Sequence, residues 1–125
     1  MEFKIDTKPN FIMLTPVSNH LDAKLTAALS QKWEELTQSG SANFIIDLHN
    51  CLDADNASFN ELTLLHENCY NAGQSLVFTG MNEEVLAALK KEELDTVLNI
   101  TPTMAEAVDI VNMEILERDL FKEDD

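Results

Sequence analysis

Asn43-Phe44-Ile45-Ile46-Asp47-Leu48 is an apolar run of strand length with helical periodicity on either side of it. Apolar on both faces, it reads as a central strand of the kind found inside a parallel sheet. Parallel neighbours need crossover connections, and helices of this length supply them, right-handed by default. An α/β architecture follows from this one segment and its flanks.

The flanks are specific enough to order the rest. Asp22 is placed to cap a helix over about residues 23–37, where Leu25, Leu29, Trp33 and Leu36 recur at helical spacing and define one face. Trp33 is therefore expected to be largely buried. Ser39-Gly40-Ser41 ends that helix. A second helix is expected over about residues 57–71, with Leu62, Leu65, Cys69 and Ala72 as its stripe and Gly73 as its stop. Ser75-Leu76-Val77-Phe78-Thr79 is a further strand, and Asn82 can cap a short helix through about residue 90 with Val85, Leu86 and Leu89 inward. Val97-Leu98-Asn99-Ile100 reads as a short last strand. Thr103 and Glu106 form a capping box for a last helix burying Ala107, Val108, Val111 and Ile115. Before all of this, Phe3-Lys4-Ile5 and Phe11-Ile12-Met13-Leu14 flank the turn Lys8-Pro9-Asn10 and suggest a hairpin. The order is β, β, α, β, α, β, α, β, α. It predicts a mixed sheet of about five strands with about four helices mainly on one face.

The 125 residues suit one domain, expected over residues 1–118, followed by an acidic C-terminal segment, 119–125. The formal net charge is -15, from 23 acidic and 8 basic residues. Nucleic-acid binding rests on neutralising phosphates with Lys and Arg, so this balance argues against it, and it disfavours anionic membrane surfaces too. No stretch reaches the ~20 apolar residues of a membrane span, and no secretory leader is visible, so a cytoplasmic location is expected. A basic protein partner is compatible with the charge. Cys51 and Cys69 sit in apolar surroundings outside any CxxC pair and read as core residues.

Catalytic constellations are missing. With glycines only at 40, 73 and 80, no phosphate-cradling loop can be assembled between a strand and a helix. Asp53-Ala54-Asp55-Asn56 starts like a calcium loop, but Ala57 and Ser58 fill the next ligand slot and the glycine position, and Leu64 stands where the bidentate Glu belongs. His20, His49 and His66 are scattered, without metal-ligand spacing. Ser58 lacks a GxSxG context. No cofactor, metal or enzymatic activity is expected. The informative segment is the strand-loop-helix from 44 to 72, because the carboxyl edge of a parallel sheet is where such folds place their sites. Asp53, Asp55, Asn56 and Ser58 lie there. They read either as helix caps or as a polar docking knob.

Four stretches resemble the STAS domain, the family of bacterial anti-sigma factor antagonists. They are His20-Leu21-Asp22-Ala23, Phe44-Ile45-Ile46-Asp47-Leu48, Ala72-Gly73-Gln74-Ser75-Leu76-Val77 and Thr101-Pro102-Thr103-Met104-Ala105-Glu106-Ala107, and the resemblance runs from Met1 to about Ile115. It implies a STAS-like mixed sheet and a role in binding proteins: a GHKL-type switch kinase, an anti-sigma factor or a transporter subunit. The family's hallmark, Asp-Ser-Ser-Gly-Leu at the start of the second helix, falls on Asp55-Asn56-Ala57-Ser58-Phe59. Asp55 is kept, while the usual phosphorylated serine becomes Ala57, which has no hydroxyl. The resemblance thus implies a partner-binding surface at Asp22, Asp53, Asp55, Asn56, Ala57, Ser58 and Phe59.

Two alternatives stay open at this point. In a register shifted by one, Ser58 is the phosphoacceptor of a conventional partner-switching antagonist, since a phosphoryl group would add roughly -1.5 to -2 charge there. Alternatively, His49, Asp53 and Asp55 serve a small-ligand or metal-binding α/β domain.

Overall fold

The local rules that place the helices are visible in their caps. A computed structural model describes residues 2–123. Asp22 Oδ1 accepts the Leu25 N–H at 2.9 Å and opens α1, Ala23–Gln38. Asn82 Oδ1 does the same for Val85 at 2.8 Å and opens α3, Glu83–Lys91. Between them α2 spans Phe59–Asn71, entered through a single 3-10 turn, Asn56–Ser58. The last helix, α4, spans Met104–Glu123, with Thr103 Oγ1 accepting the Glu106 N–H at 3.2 Å. Such caps satisfy amide groups that the helix itself leaves without partners.

The main sheet has five strands. The expected hairpin is β1, Phe3–Thr7, against β2, Ile12–Pro16, closed by the Lys8 N–H to the Phe11 carbonyl at 2.9 Å. Two very short strands, β3 (His20–Leu21) and β5 (Asp53–Ala54), pair in parallel as a separate ribbon. The central strands are β4, Asn43–Asp47, and β6, Ser75–Thr79, and the far edge is β7, Ile100–Thr101. Their order is β1-β2-β4-β6-β7, parallel throughout except for the first pair. The mixed α/β sheet expected from the sequence is therefore present.

Alternation along β4 sorts its side chains to two cores. Phe44 and Ile46, with Leu14, Leu76 and Phe78, face α1, α2 and α3, where Leu25, Leu29, Leu62, Leu65, Val85 and Leu89 meet them. Ile45 and Val77 face the other way, against Ala107 and Val111 of α4. Three helices thus share one face, and the fourth covers the reverse. Each fully buried Leu, Ile or Phe in these layers contributes roughly 1.5–3 kcal/mol of hydrophobic transfer.

Two sequence expectations need correcting, the last strand and the C-terminal segment. The segment 97–100 is a strand only at its end: Leu94–Thr96 form a 3-10 turn entered through Glu93 at φ 60°, and pairing begins at Ile100. Trp33 packs against the main core from the expected face with a minor part of its surface exposed, and its Nε1–H donates to Gln74 Oε1 at 2.8 Å. Residues 119–123 of the acidic segment continue α4, and residues 116–123 contain good helix formers and neither Gly nor Pro. Residues 124 and 125 lie outside the described residues.

Candidate partner-binding site at the carboxyl edge of the sheet

The strands β2, β4 and β6 all deliver their carboxyl ends to one edge, and the chain from Leu48 to Phe59 is fastened across it. The Leu48 N–H donates to Thr79 O at 2.9 Å. Asn50 Nδ2 reaches Pro16 O at 3.0 Å, and the Leu52 N–H reaches Asn19 O at 2.6 Å. Asn82, already the cap of α3, also donates through Nδ2 to Leu52 O at 3.1 Å. The β3–β5 ribbon completes the fastening, continued by the Asp55 N–H to Leu21 O at 2.8 Å. A loop held at this many points presents its side chains from a fixed backbone.

Gly80 makes the β4 exit possible. At φ 78°, it is in the left-handed region, and a Cβ there would fall 2.2 Å from Asp47 Oδ1. That oxygen accepts the His49 N–H at 3.0 Å, and the other carboxylate oxygen of Asp47 lies 3.0 Å from His49 Nδ1. The space left by the missing side chain is where the Asp47 carboxylate sits.

At the entry to α2 the chain forms a tight knuckle. The Asp55 carboxylate accepts the Ala57 N–H at 3.1 Å, and the Asp55 carbonyl accepts both the Ser58 N–H at 2.9 Å and the Ser58 hydroxyl at 2.7 Å. Asp55, Asn56 and Ala57 are exposed. Ser58 is 0% exposed and offers no side-chain surface, and Phe59 is buried in the main core with only a small part of its side chain reaching solvent. Beside the knuckle runs an open cleft of about 220 Å³ lined by Asn56, Phe59, Asn60, Thr63, Glu92 and Leu94.

The remaining expected site residues divide by task. Asp22 is part-buried and occupied as the α1 cap. Asp53 lies 2.7 Å from His20 Nδ1 across the β3–β5 ribbon. That hydrogen bond and the charge of Asp53 raise the His20 pKa above its ordinary value; burial opposes the shift weakly and Asp22 adds to it. His49 pairs with Asp47, Asp53 with His20, and the Asp55 carboxylate accepts the Ala57 N–H, so the three groups proposed for a metal or small-ligand site are each engaged separately. Among the described residues no three His, Cys, Asp or Glu side chains come together around one point. Burial pushes the Cys51 thiol up to about 11, with Asp22 and Asp53 adding to the effect, and the Cys69 thiol up to about 12. Both stay protonated near neutrality and are poor nucleophiles.

His20 and Leu52 are the residues that sequence reasoning missed. Leu52 is 59% exposed on the fastened loop, beside Asp53. Its signal was there to read: a large apolar residue inside an otherwise polar loop. His20 gave none, because its partnership depends on a ribbon of two-residue strands. The whole edge is acidic, since α3 packs beside β5 and carries Glu83 and Glu84 in its first turn.

An antiparallel entry pair, three parallel strands beyond it and helices on both faces define the STAS-like fold of anti-sigma factor antagonists. Among solved structures, the chain is similar to a Thermotoga maritima protein assigned as an anti-sigma factor antagonist, at TM-score 0.76 and 20% identity over 88% of this chain and 94% of that one. A variant of RsbS from Moorella thermoacetica superposes at 0.73 and 16% over 94% and 99% of the two chains. SpoIIAA in its unphosphorylated form superposes at 0.69 and 12% over 89% and 96%, and the Bacillus protein is also solved phosphorylated. At these identities the likeness is one of fold. No protein-family model matches the sequence. No curated protein matches it either. Among the described residues no helix is long and apolar enough to cross a membrane.

Proposed function

We propose that this chain is a non-catalytic, cytoplasmic protein-binding module of the anti-sigma factor antagonist kind, and that it binds without the phosphorylation switch. The observation that carries the reading is the knuckle itself. Ala57, the residue in the usual phosphoacceptor position, is exposed at its tip, while the neighbouring Ser58 is fully buried with its hydroxyl engaged. A kinase acting on Ser58 would have to break the bond of its hydroxyl to Asp55 O and bring a fully buried side chain to the surface, which disfavours the conventional switch. The docking surface in this reading is Asp53, Asp55, Asn56 and Ala57, with Leu52 as an apolar contact. Its acidity suits a basic face on the partner. The partner classes are a GHKL-type switch kinase, an anti-sigma factor or a transporter subunit.

The reading is tested by incubating the wild type and Ala57→Ser with ATP and a GHKL-type switch kinase from the same organism, followed by mass spectrometry. Wild type is expected to remain unmodified and Ala57→Ser to gain a phosphate at position 57. Phosphate on Ser58 of the wild type would replace this reading with the conventional switch.

A further inference from the structure

The second surface lies on α4, on the reverse face of the sheet from α2. One side of this helix is accounted for: Ala107 and Val111 meet Ile45 and Val77. Arg118 is turned the same way and donates to Asn43 Oδ1 at 2.8 Å and to Ser75 Oγ at 3.1 Å, at the amino ends of β4 and β6. The other side carries Met113, Leu116 and Leu120, which are 57%, 60% and 53% exposed. Their spacing of three and four residues places them on one stripe. Three large apolar side chains in line on solvent are not what an unpartnered helix face carries.

The rim of the stripe says what covers it. At ~100° per residue, Glu106, Asp109, Glu117 and Asp119 all fall around these three residues, and all four are exposed. Arg118 is engaged inward, and Lys122 lies about 120° around the helix from Leu116. The stripe is thus an apolar line in a rim of acids. A second copy of this chain would set the same acids against one another, in a molecule already at -15. An anionic membrane would be repelled in the same way. We infer that the Met113-Leu116-Leu120 stripe docks a cationic amphipathic helix of a protein partner, with apolar anchors on the stripe and Lys or Arg on the acidic rim. Together with the knuckle, which uses the other core's side of the molecule, this makes the chain two-sided.

The test uses the whole chain and two labelled peptides of about 18 residues, or five turns: an amphipathic Leu/Lys helix and a Ser/Lys peptide of equal charge. Fluorescence anisotropy at about 150 mM salt, where long-range attraction is screened, reads the affinities. The Leu/Lys peptide is expected to bind at least roughly tenfold tighter than the Ser/Lys peptide, a difference of about 1.4 kcal/mol. Leu116→Ser with Leu120→Ser, and separately Asp109→Lys with Glu117→Lys, should each abolish that margin with circular dichroism unchanged. Ala57→Asp should leave it intact, so this surface and the knuckle succeed or fail separately. Equal binding of the two peptides, or equal binding by wild type and the Leu116→Ser/Leu120→Ser variant, would overturn the inference. So would a dimer in sedimentation equilibrium that this double variant dissociates, since it would assign the stripe to a second copy.

Discussion

The Ser58 hydroxyl donates to the Asp55 carbonyl at 2.7 Å, inside the turn that opens α2, and the Asp55 carboxylate accepts from Ala57 in the same turn. Asp55 thereby ties down both residues after Asn56. The serine serves the backbone of the knuckle and leaves the surface to Asn56 and Ala57.

Ser58→Ala follows directly. It removes one buried hydrogen bond and leaves an acceptor that still has the Ser58 N–H, so a loss of about 1 kcal/mol is expected. Urea unfolding of wild type and variant measures it, and partner affinity should be unchanged. A collapse of partner binding with the fold intact would return Ser58 to the binding surface.

The layering was legible in the sequence because it rests on long signals. Phe44 to Leu48, the Leu25-Leu29 stripe and the caps Asp22 and Asn82 each involve several residues whose period or chemistry admits one reading, and each element formed where expected. The β3–β5 ribbon was not legible, since two residues carry no period and their pairing spans 33 positions of chain, from His20 to Asp53. The candidate site depends on that ribbon, and without it His20 is one of three histidines scattered along the chain. Trp33 shows how far a periodic signal reaches. Helical spacing shows that it shares a face with Leu25 and Leu29, but how far along the helix the core extends depends on what packs opposite.

The His20–Asp53 pair gives stability a pH dependence of defined sign. Its folded pKa is raised above the ordinary histidine value of about 6.5. The protonated pair therefore contributes fully below the unfolded value, and the contribution is lost as pH rises through the folded one. His66 acts oppositely, because burial lowers its pKa, but it is common to wild type and His20→Gln. Urea midpoints of those two proteins should differ most in mildly acidic buffer and converge in mildly alkaline buffer. A gap that widens with rising pH would contradict the pair.

Gly80→Ala should destabilise strongly. A left-handed conformation costs a non-glycine residue of order 1–3 kcal/mol, and the new Cβ would in addition displace the Asp47 carboxylate from His49. Thermal unfolding reads the loss, and Asp47→Ala combined with Gly80→Ala should recover part of it by removing the clash. A Gly80→Ala protein as stable as wild type would contradict the assigned β4 exit.

The docking role of the knuckle is tested most directly by Ala57→Asp. Ala57 is exposed at the amino end of α2, where a negative charge is tolerated by the helix, so circular dichroism and the unfolding midpoint should stay close to wild type. A carboxylate at that tip resembles a phosphate in sign, and it puts added bulk and a charge that must be stripped of water at the small exposed residue where a partner approaches closely. The measurement is the affinity of a purified switch kinase, anti-sigma factor or transporter subunit from the same organism for wild type and Ala57→Asp. The expected result is a weakening of roughly tenfold or more, on the order of 1.4 kcal/mol. A correctly folded Ala57→Asp protein that binds its partner as tightly as wild type would place the interaction elsewhere and refute the proposed surface.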